Sequence, residues 1–395
     1  MIGHSAVRYH VMGERSFAEQ ATSEELAEMA AIVGEAMDRG ALGFSTNRYE
    51  PHKAPDGRSI PGTFADPSEL VAIGKEVGRR GGMMQAVGAS PEVLTAMADS
   101  GSRILFSWGV GPEAGAGRAS AAFLEKMCEG RDMTAITQVR GTGYMFGLQS
   151  GLPFGGETWA KLREMTLAQR LAAIANSETA AKLIEEARAK THVPLKNVYY
   201  LGVGETPDYT AARSENVQAL AEKTGEDFAQ LFVRLSRETG GKALFNFRMF
   251  CQDLGELGDL FKSDRIFPGL GDAGAHVSQI MDADWSTFVL AYWIRQRELY
   301  SLGEGIRRIT SGPARVMGLK DRGVLAPGMR ADINVFDFNR VTQLQPELVH
   351  DFPGGAARYI QRARGYKATL VNGQINVQDD THTGVQAGMV LRHVS

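Results

Sequence analysis

The stretch TSEELAEMAAIVGEAMDRGALGFST, residues 22–46, decides the reading of the fold. Thr22 and Glu25 form a capping-box pattern ahead of an apolar series, Leu26, Met29, Ala30, Val33 and Met37, that follows helical spacing. Gly40 ends that helix, and Ala41 to Thr46 is a short apolar strand. The unit then repeats. Asp66 stands as a cap, Pro67 at the first helical position and Glu69 as the completion of the box, with Leu70, Ile73 and Val77 facing inward. Gly81-Gly82 stops this helix before the strand Met83 to Val87. Ser90-Pro91 opens the next helix, Gly101 closes it, and RILFSW follows. A helix around Ala119 to Met127 leads to the strand Met133 to Val139.

Regular alternation of helices with buried-looking strands predicts a parallel sheet covered by helices. Long loops follow the strands ending at Thr46 and Val139, and a (β/α) barrel builds its active site from loops at strand C-termini. A doubly wound open sheet fits the same pattern. Residues 158–190 and 214–237 read as charged helices inside an insertion of about 150–262, before the strand Arg265 to Leu270. After Gly323 the chain becomes strand-turn-strand with Pro-Gly and Asn-Gly punctuation, a small β domain. The expected division is therefore 1–322 for the α/β part and 323–395 for the β part.

With 395 residues there is ample length for a large core. A net charge of −3 points to neither a polyanion nor a membrane surface as partner. Two cysteines, Cys128 and Cys251, are too few for a disulfide framework, lack a His at motif spacing and read as core, so a cytoplasmic location is expected. The opening MIGHSAVRYHVMGER has no signal-peptide pattern and begins at once with a strand-like run. No apolar run is long enough for a membrane span.

The turn GLGDAGAHVSQIMDADW, residues 269–285, concentrates the candidate chemistry. Asp272 follows an apolar strand, and a carboxylate there can bind a divalent metal or take a proton. His276 lies four residues on and reaches for the same cavity. The competing reading makes Asp272 or Asp284 the cap of a helix near Trp285 and His276 a polar loop residue. The loop from Ser45 to Asp66 carries Arg48, Tyr49, His52 and Arg58 and is too long for a plain connector. Its Arg suits a bidentate grip on a carboxylate. A solvated loop with incidental charges is the alternative. Arg140, beyond the strand AITQV, is placed for substrate binding by the same strand-end logic. His4 and His10 flank the first strand, one of them facing the cavity or both structural.

Several stretches resemble the amidohydrolase superfamily, in its N-acyl-D-amino-acid deacylase (D-aminoacylase) branch. GHSAVRYHVMGE from Gly3 resembles the third barrel strand of that branch, GALGFST the fourth and GDAGAH, residues 271–276, the eighth. TSGPARVMGLKDRGVLAPGMRADINVFD, residues 310–337, resembles the return into the family's β-sandwich. The resemblance implies a (β/α)8 TIM-like barrel lacking its first strands, with a helical insertion and the C-terminal part of a small β-sandwich. It implies a metal-dependent amidohydrolase cleaving the amide of an N-acyl amino acid or similar small carboxylate. Zinc or another divalent metal is expected, with Asp272 as ligand and proton shuttle and His276 as acid/base or replacement ligand. Arg48, Tyr49, His52, Arg140 and Trp108 are the expected substrate contacts.

The chain departs from the pattern. The family's first two strands, with a His-x-His pair and a bridging Cys, have no counterpart. The fifth-strand ligand His falls at Val87, the sixth-strand His at Trp108 and a substrate-binding Lys at Val110. Neither Val nor Trp ligates zinc. An N-terminally truncated form of a longer enzyme is one expectation, with six of eight strands leaving an open edge. The other is a catalytically impaired or metal-free binder, or one subunit of a homo-oligomer, holding a small apolar ligand among Trp108, Val87, Met83 and Tyr49.

Overall fold

The computed structural model describes residues 1–271, 274 and 276–393. Its central feature is a parallel sheet of β1 (Ile2–Gly3), β2 (Gly43–Asn47), β3 (Met83–Val87), β4 (Arg103–Ser107), β5 (Met133–Thr137) and a later strand at Ile266–Pro268, in that order. Register is continuous across it: Ser45 pairs with Gln85, Gln85 with Leu105 and Leu105 with Thr134. Phe44, Met84, Ala86, Ile104, Phe106 and Ala135 lie on the buried face. Ser45, Gln85, Leu105 and Ser107 alternate with them on a half-buried face.

The helices between the strands start where their caps predict. Thr22 and Glu25 complete both halves of the box before the helix Ser23–Asp38. Ser90 caps Pro91–Asp99, and Asp66 caps Pro67–Arg79 through the Ser68 amide. Glu69 behaves otherwise than expected. Rather than closing a capping box it turns inward, 1% exposed, and accepts from His4 Nε2 (2.5 Å) and from Arg8. His4 Nδ1 also meets Thr46 Oγ1 at 2.9 Å, so the ring is held on both nitrogens. A Cβ at Gly62 would lie 2.5 Å from that ring, which explains the glycine. The strand-like opening contracts to Ile2–Gly3, and His4–Met12 is helical, with His10 exposed on its outer side.

Burial pushes the Glu69 carboxyl up, but hydrogen bonds from His4 and Arg8 outweigh it and hold the pKa below its ordinary value of 4.5. A depressed folded pKa stabilises the protein above the unfolded value and loses that contribution as pH falls through the folded one. Glu69→Gln is therefore expected to flatten the acid side of the stability curve and to lower stability at pH 7. Denaturant unfolding between pH 3 and 7 measures this (range chosen around the carboxylate pKa); an unchanged acid slope would count against it.

The expected helical insertion contains more than helices. Glu157–Arg163, Leu167–Ala175, Ser177–Ala189, Val217–Thr224 and Phe228–Glu238 are helical as read. They pack on a three-stranded antiparallel sheet of β6 (Thr142–Phe146), β7 (Val198–Tyr200) and β8 (Phe245–Phe250), with β8 in the middle. Phe146, Phe154, Trp159, Phe228, Phe232 and Phe245 form a separate core here. The chain then rejoins the main sheet as β9 (Ile266–Pro268) beside β5.

Beyond the helices Leu302–Ile309 and Ser311–Val316 come two small sheets. One orders β10 (Ile333–Phe336) against later strands β13 (Tyr366–Val371), β14 (Gln374–Gln378) and β15 (Thr381–His382). The other pairs β11 (Thr342–Val349) with β12 (Arg358–Arg364). The Asn-Gly signal lands between β13 and β14, with Asn372 and Gly373 both at positive φ (51° and 80°), as a primed hairpin turn requires. The Pro327-Gly328 turn precedes β10 without joining two strands.

Candidate active site

The C-terminal ends of β2 and β9 and the end of β8 converge on one cluster. Asn47, last in β2, accepts the Tyr49 amide at 2.9 Å and donates from its side chain to His52 Nδ1. The His52 amide reaches back to the Tyr49 carbonyl at 3.0 Å. These bonds curl the loop so that Tyr49 and His52 meet edge to face, with centroids 5.1 Å apart. Phe250 packs on Tyr49 from β8. The backbone of Tyr49 crowds Gly88, where a Cβ would come within 2.7 Å of it. From the other side, the His276 ring stands 6.3 Å from the His52 ring, tilted by 33°. A neutral His52 that accepts at Nδ1 carries its proton on Nε2, so it presents a donor. Tyr49, His52 and His276, candidates from two segments far apart in the chain, thus stand beside one another. Asp272 lies outside the described residues.

The remaining candidates sit elsewhere. Arg48 is half-buried and turns from the cluster, its Nη1 donating to the Ala65 carbonyl at 2.8 Å. Burial lowers its pKa, against the opposing pull of Glu69 and Asp66. Arg58 leaves the cavity to pair with Glu14 and Asp56 and to cover the Phe17 ring at 3.7 Å. Trp108 stacks on Phe123 at 5.5 Å and donates to Ser120 at 2.8 Å, so its ring lies against the helix Ala116–Met127. Val87 ends β3, and Met83 begins it at the opposite end of the strand.

Arg140 is fully enclosed. Its Nε and Nη2 donate to Asp284 at 3.2 and 2.7 Å, Nη2 also reaches the Met281 carbonyl at 2.6 Å, and the guanidinium lies 3.5 Å over the Tyr209 ring. Asp282 is 3.2 Å away and accepts from Thr142. Asp284 stands ahead of the helix Trp285–Phe288 but caps nothing with its side chain, because its carboxylate is spent on Arg140. The network ties the turn holding His276 to β6. Asn47 and Phe250 went unread in the sequence. The strand-end position of Asn47, two residues before Tyr49, was the available signal for the first; nothing local marks Phe250.

A match described as "Amidohydrolase family" covers residues 261–377. The D-aminoacylase of Alcaligenes xylosoxydans xylosoxydans is 26% identical over 408 residues, spanning 99% of this chain and 69% of that protein. A solved D-aminoacylase structure, described as defining a novel subset of amidohydrolases, superposes with a TM-score of 0.61 at 19% identity, covering 100% of this chain and 71% of its own. The N-acyl-D-glutamate deacylase from Bordetella bronchiseptica, solved with zinc and a phosphonate inhibitor, does so with a TM-score of 0.57 at 20% identity, covering 99% and 70%. In sequence along nearly its whole length, and in fold, the chain is thus similar to D-aminoacylases of the amidohydrolase superfamily.

Zinc accompanies that relative. Among the described residues of this chain, no group of three His, Cys, Asp or Glu is arranged to hold a metal. The residues at the ends of β3 and β4, Val87 and Trp108, offer no ligand atom. The described residues, which do not include Asp272, therefore do not by themselves make up a metal site.

Proposed function

We propose that the chain hydrolyses the amide bond of an N-acyl amino acid or a similar small carboxylate substrate. The approach of the His276 ring, on the turn that also carries Asp272, to the His52 ring on the loop after β2 supports this reading most directly. In it Asp272 accepts the proton of the attacking water and delivers it to the leaving nitrogen. His276 and His52 flank the reacting carbonyl as proton donors, and Tyr49 orients the acyl group. Arg48, on the loop that carries Tyr49 and His52, takes the substrate carboxylate after releasing the Ala65 carbonyl. Arg140, with its donors committed to Asp284 and Met281, holds the turn in place. The same reading takes the main sheet as six strands of a (β/α)8 barrel within residues 1–322 and residues 323–395 as part of a β-sandwich. The substrate is a small molecule; among the described residues no helix is long and apolar enough to cross a membrane.

Val87 and Trp108 favour a second reading, a metal-free binder of small apolar ligands. One paired measurement separates the two. Purified protein grown with supplemented zinc, manganese, iron and nickel is analysed for bound metal and assayed for amine release from a panel of N-acyl-D- and L-amino acids. Hydrolysis is expected, preferring one stereoisomer. Absence of turnover together with absence of metal would overturn the hydrolase reading for this polypeptide.

A further inference from the structure

On the side of the molecule where β11 and β12 meet the helical segment Val289–Gln296, a cavity of about 450 Å³ is lined by Thr206, Arg295, Asn339, Arg340, Thr342 and Arg364. It shares no residue with the cluster described above. Three guanidinium groups in one well of a chain with net charge −3 are a local excess of positive charge. Glu205 is the carboxylate paired with one of them, Arg364.

The walls are fixed by backbone. Arg295 Nη1 donates to the carbonyls of Phe338 (2.7 Å) and Val341 (2.8 Å), which aims the guanidinium and leaves Nε and Nη2 without a partner among the described residues. Gln345 stitches the loop carrying Thr206 to β11, its amide bonded to the Glu205 carbonyl at 3.0 Å and its side chain to those of Leu201, Gly202 and Thr206. Gly365 admits the turn before β11 so closely that a Cβ would lie 2.7 Å from Val341 Cα. The Arg340 guanidinium has no hydrogen bond or ion pair to any described residue; only its amide is bonded, to the Asp337 carbonyl at 3.0 Å. Burial lowers the Arg295 pKa, opposed by Asp337, so an anion in the well would restore what burial costs.

We infer that this well is a binding site for a doubly charged oxyanion, a phosphate group of a small molecule. Arg364 meets Glu205 and Arg295 feels Asp337, so the excess charge of the well is that of Arg340, and three arginine side chains lining one well suit the several oxygens of a phosphate better than the two of a monocarboxylate. Arginine forks suit its geometry, and the Thr206 and Thr342 hydroxyls add neutral donors.

The test is calorimetric titration with inorganic phosphate at low ionic strength, where screening is weakest. It compares the unaltered protein with Arg340→Gln and with Arg362→Gln, an exposed arginine of the same strand pair that does not line the well. One saturable phosphate per chain is expected. Arg340→Gln should weaken it at least ~10-fold, and Arg362→Gln should leave it unchanged. Acetate at equal ionic strength should not compete. Failure of the unaltered protein to saturate, equal binding by Arg340→Gln, an equal loss in Arg362→Gln, or effective competition by acetate would each overturn the assignment. Amide hydrolysis plays no part in the readout.

Discussion

Arg140→Met is expected to cost about 3–5 kcal/mol of stability, the penalty for leaving buried carboxylates without their cation. The side chains of Arg140 and Asp284 are 3% and 1% exposed, so water does not replace the lost partner. Burial pulls the guanidinium pKa down, but the Asp284 carboxylate outweighs it and raises it. Asp282 keeps its bond from Thr142, whereas Asp284 loses both of its charge-assisted donors. Methionine restores most of the volume and none of the charge. It also abandons the Tyr209 ring, over which the guanidinium is stacked. A double variant, Arg140→Met with Asp284→Leu, removes the stranded charge together with the cation and should recover much of the loss. Denaturant unfolding of the two single variants and the double completes the cycle. A loss below about 1 kcal/mol for Arg140→Met, the level of an exposed ion pair, would show the network to be dispensable.

What the sequence makes legible follows the range over which each interaction acts. The capping box at Thr22 and Glu25, the Ser90 cap and the Asn372-Gly373 turn are local, and each lies where its pattern says. The main strands are legible because helices of regular period frame them. β7 is not, since Val198–Tyr200 is a brief segment set among polar helices and gains strand geometry only by pairing with Phe245–Phe247. Glu69 shows the limit of a pattern: an acidic residue three positions after a cap serves a capping box or a buried cluster equally well, and the decision belongs to His4 and Arg8, far upstream. Arg140 raised the same difficulty. Strand-end logic gives its position, but its partner Asp284 is 144 residues away, and only the fold reveals that the charge is already matched. His52 and His276 were readable as candidates separately. Their approach depends on the Asn47 bonds that curl one loop and on the return of the chain through β9.

Asp272→Asn is expected to reduce amide hydrolysis by about 10²–10⁴-fold, the usual worth of a positioned acid or base, while leaving the unfolding profile unchanged. Asp272 follows Gly271, where a Cβ would come within 2.8 Å of the Asp282 carbonyl, so the turn is anchored at its entry. Four residues on, His276 faces His52 across the cluster. A carboxylate at position 272 can take a proton from water; a carboxamide of the same shape cannot. The activity of the unaltered protein should therefore fall on the acid side as the carboxylate protonates, and the residual activity of Asp272→Asn should lack that limb. His276→Gln tests the partner role: its loss should leave the acid limb in place, because the carboxylate remains. Rates across pH for the three proteins, with thermal unfolding as the folding control, give a clear reading. Full activity in Asp272→Asn would remove the residue from the reaction, and a loss accompanied by unfolding would make its role structural.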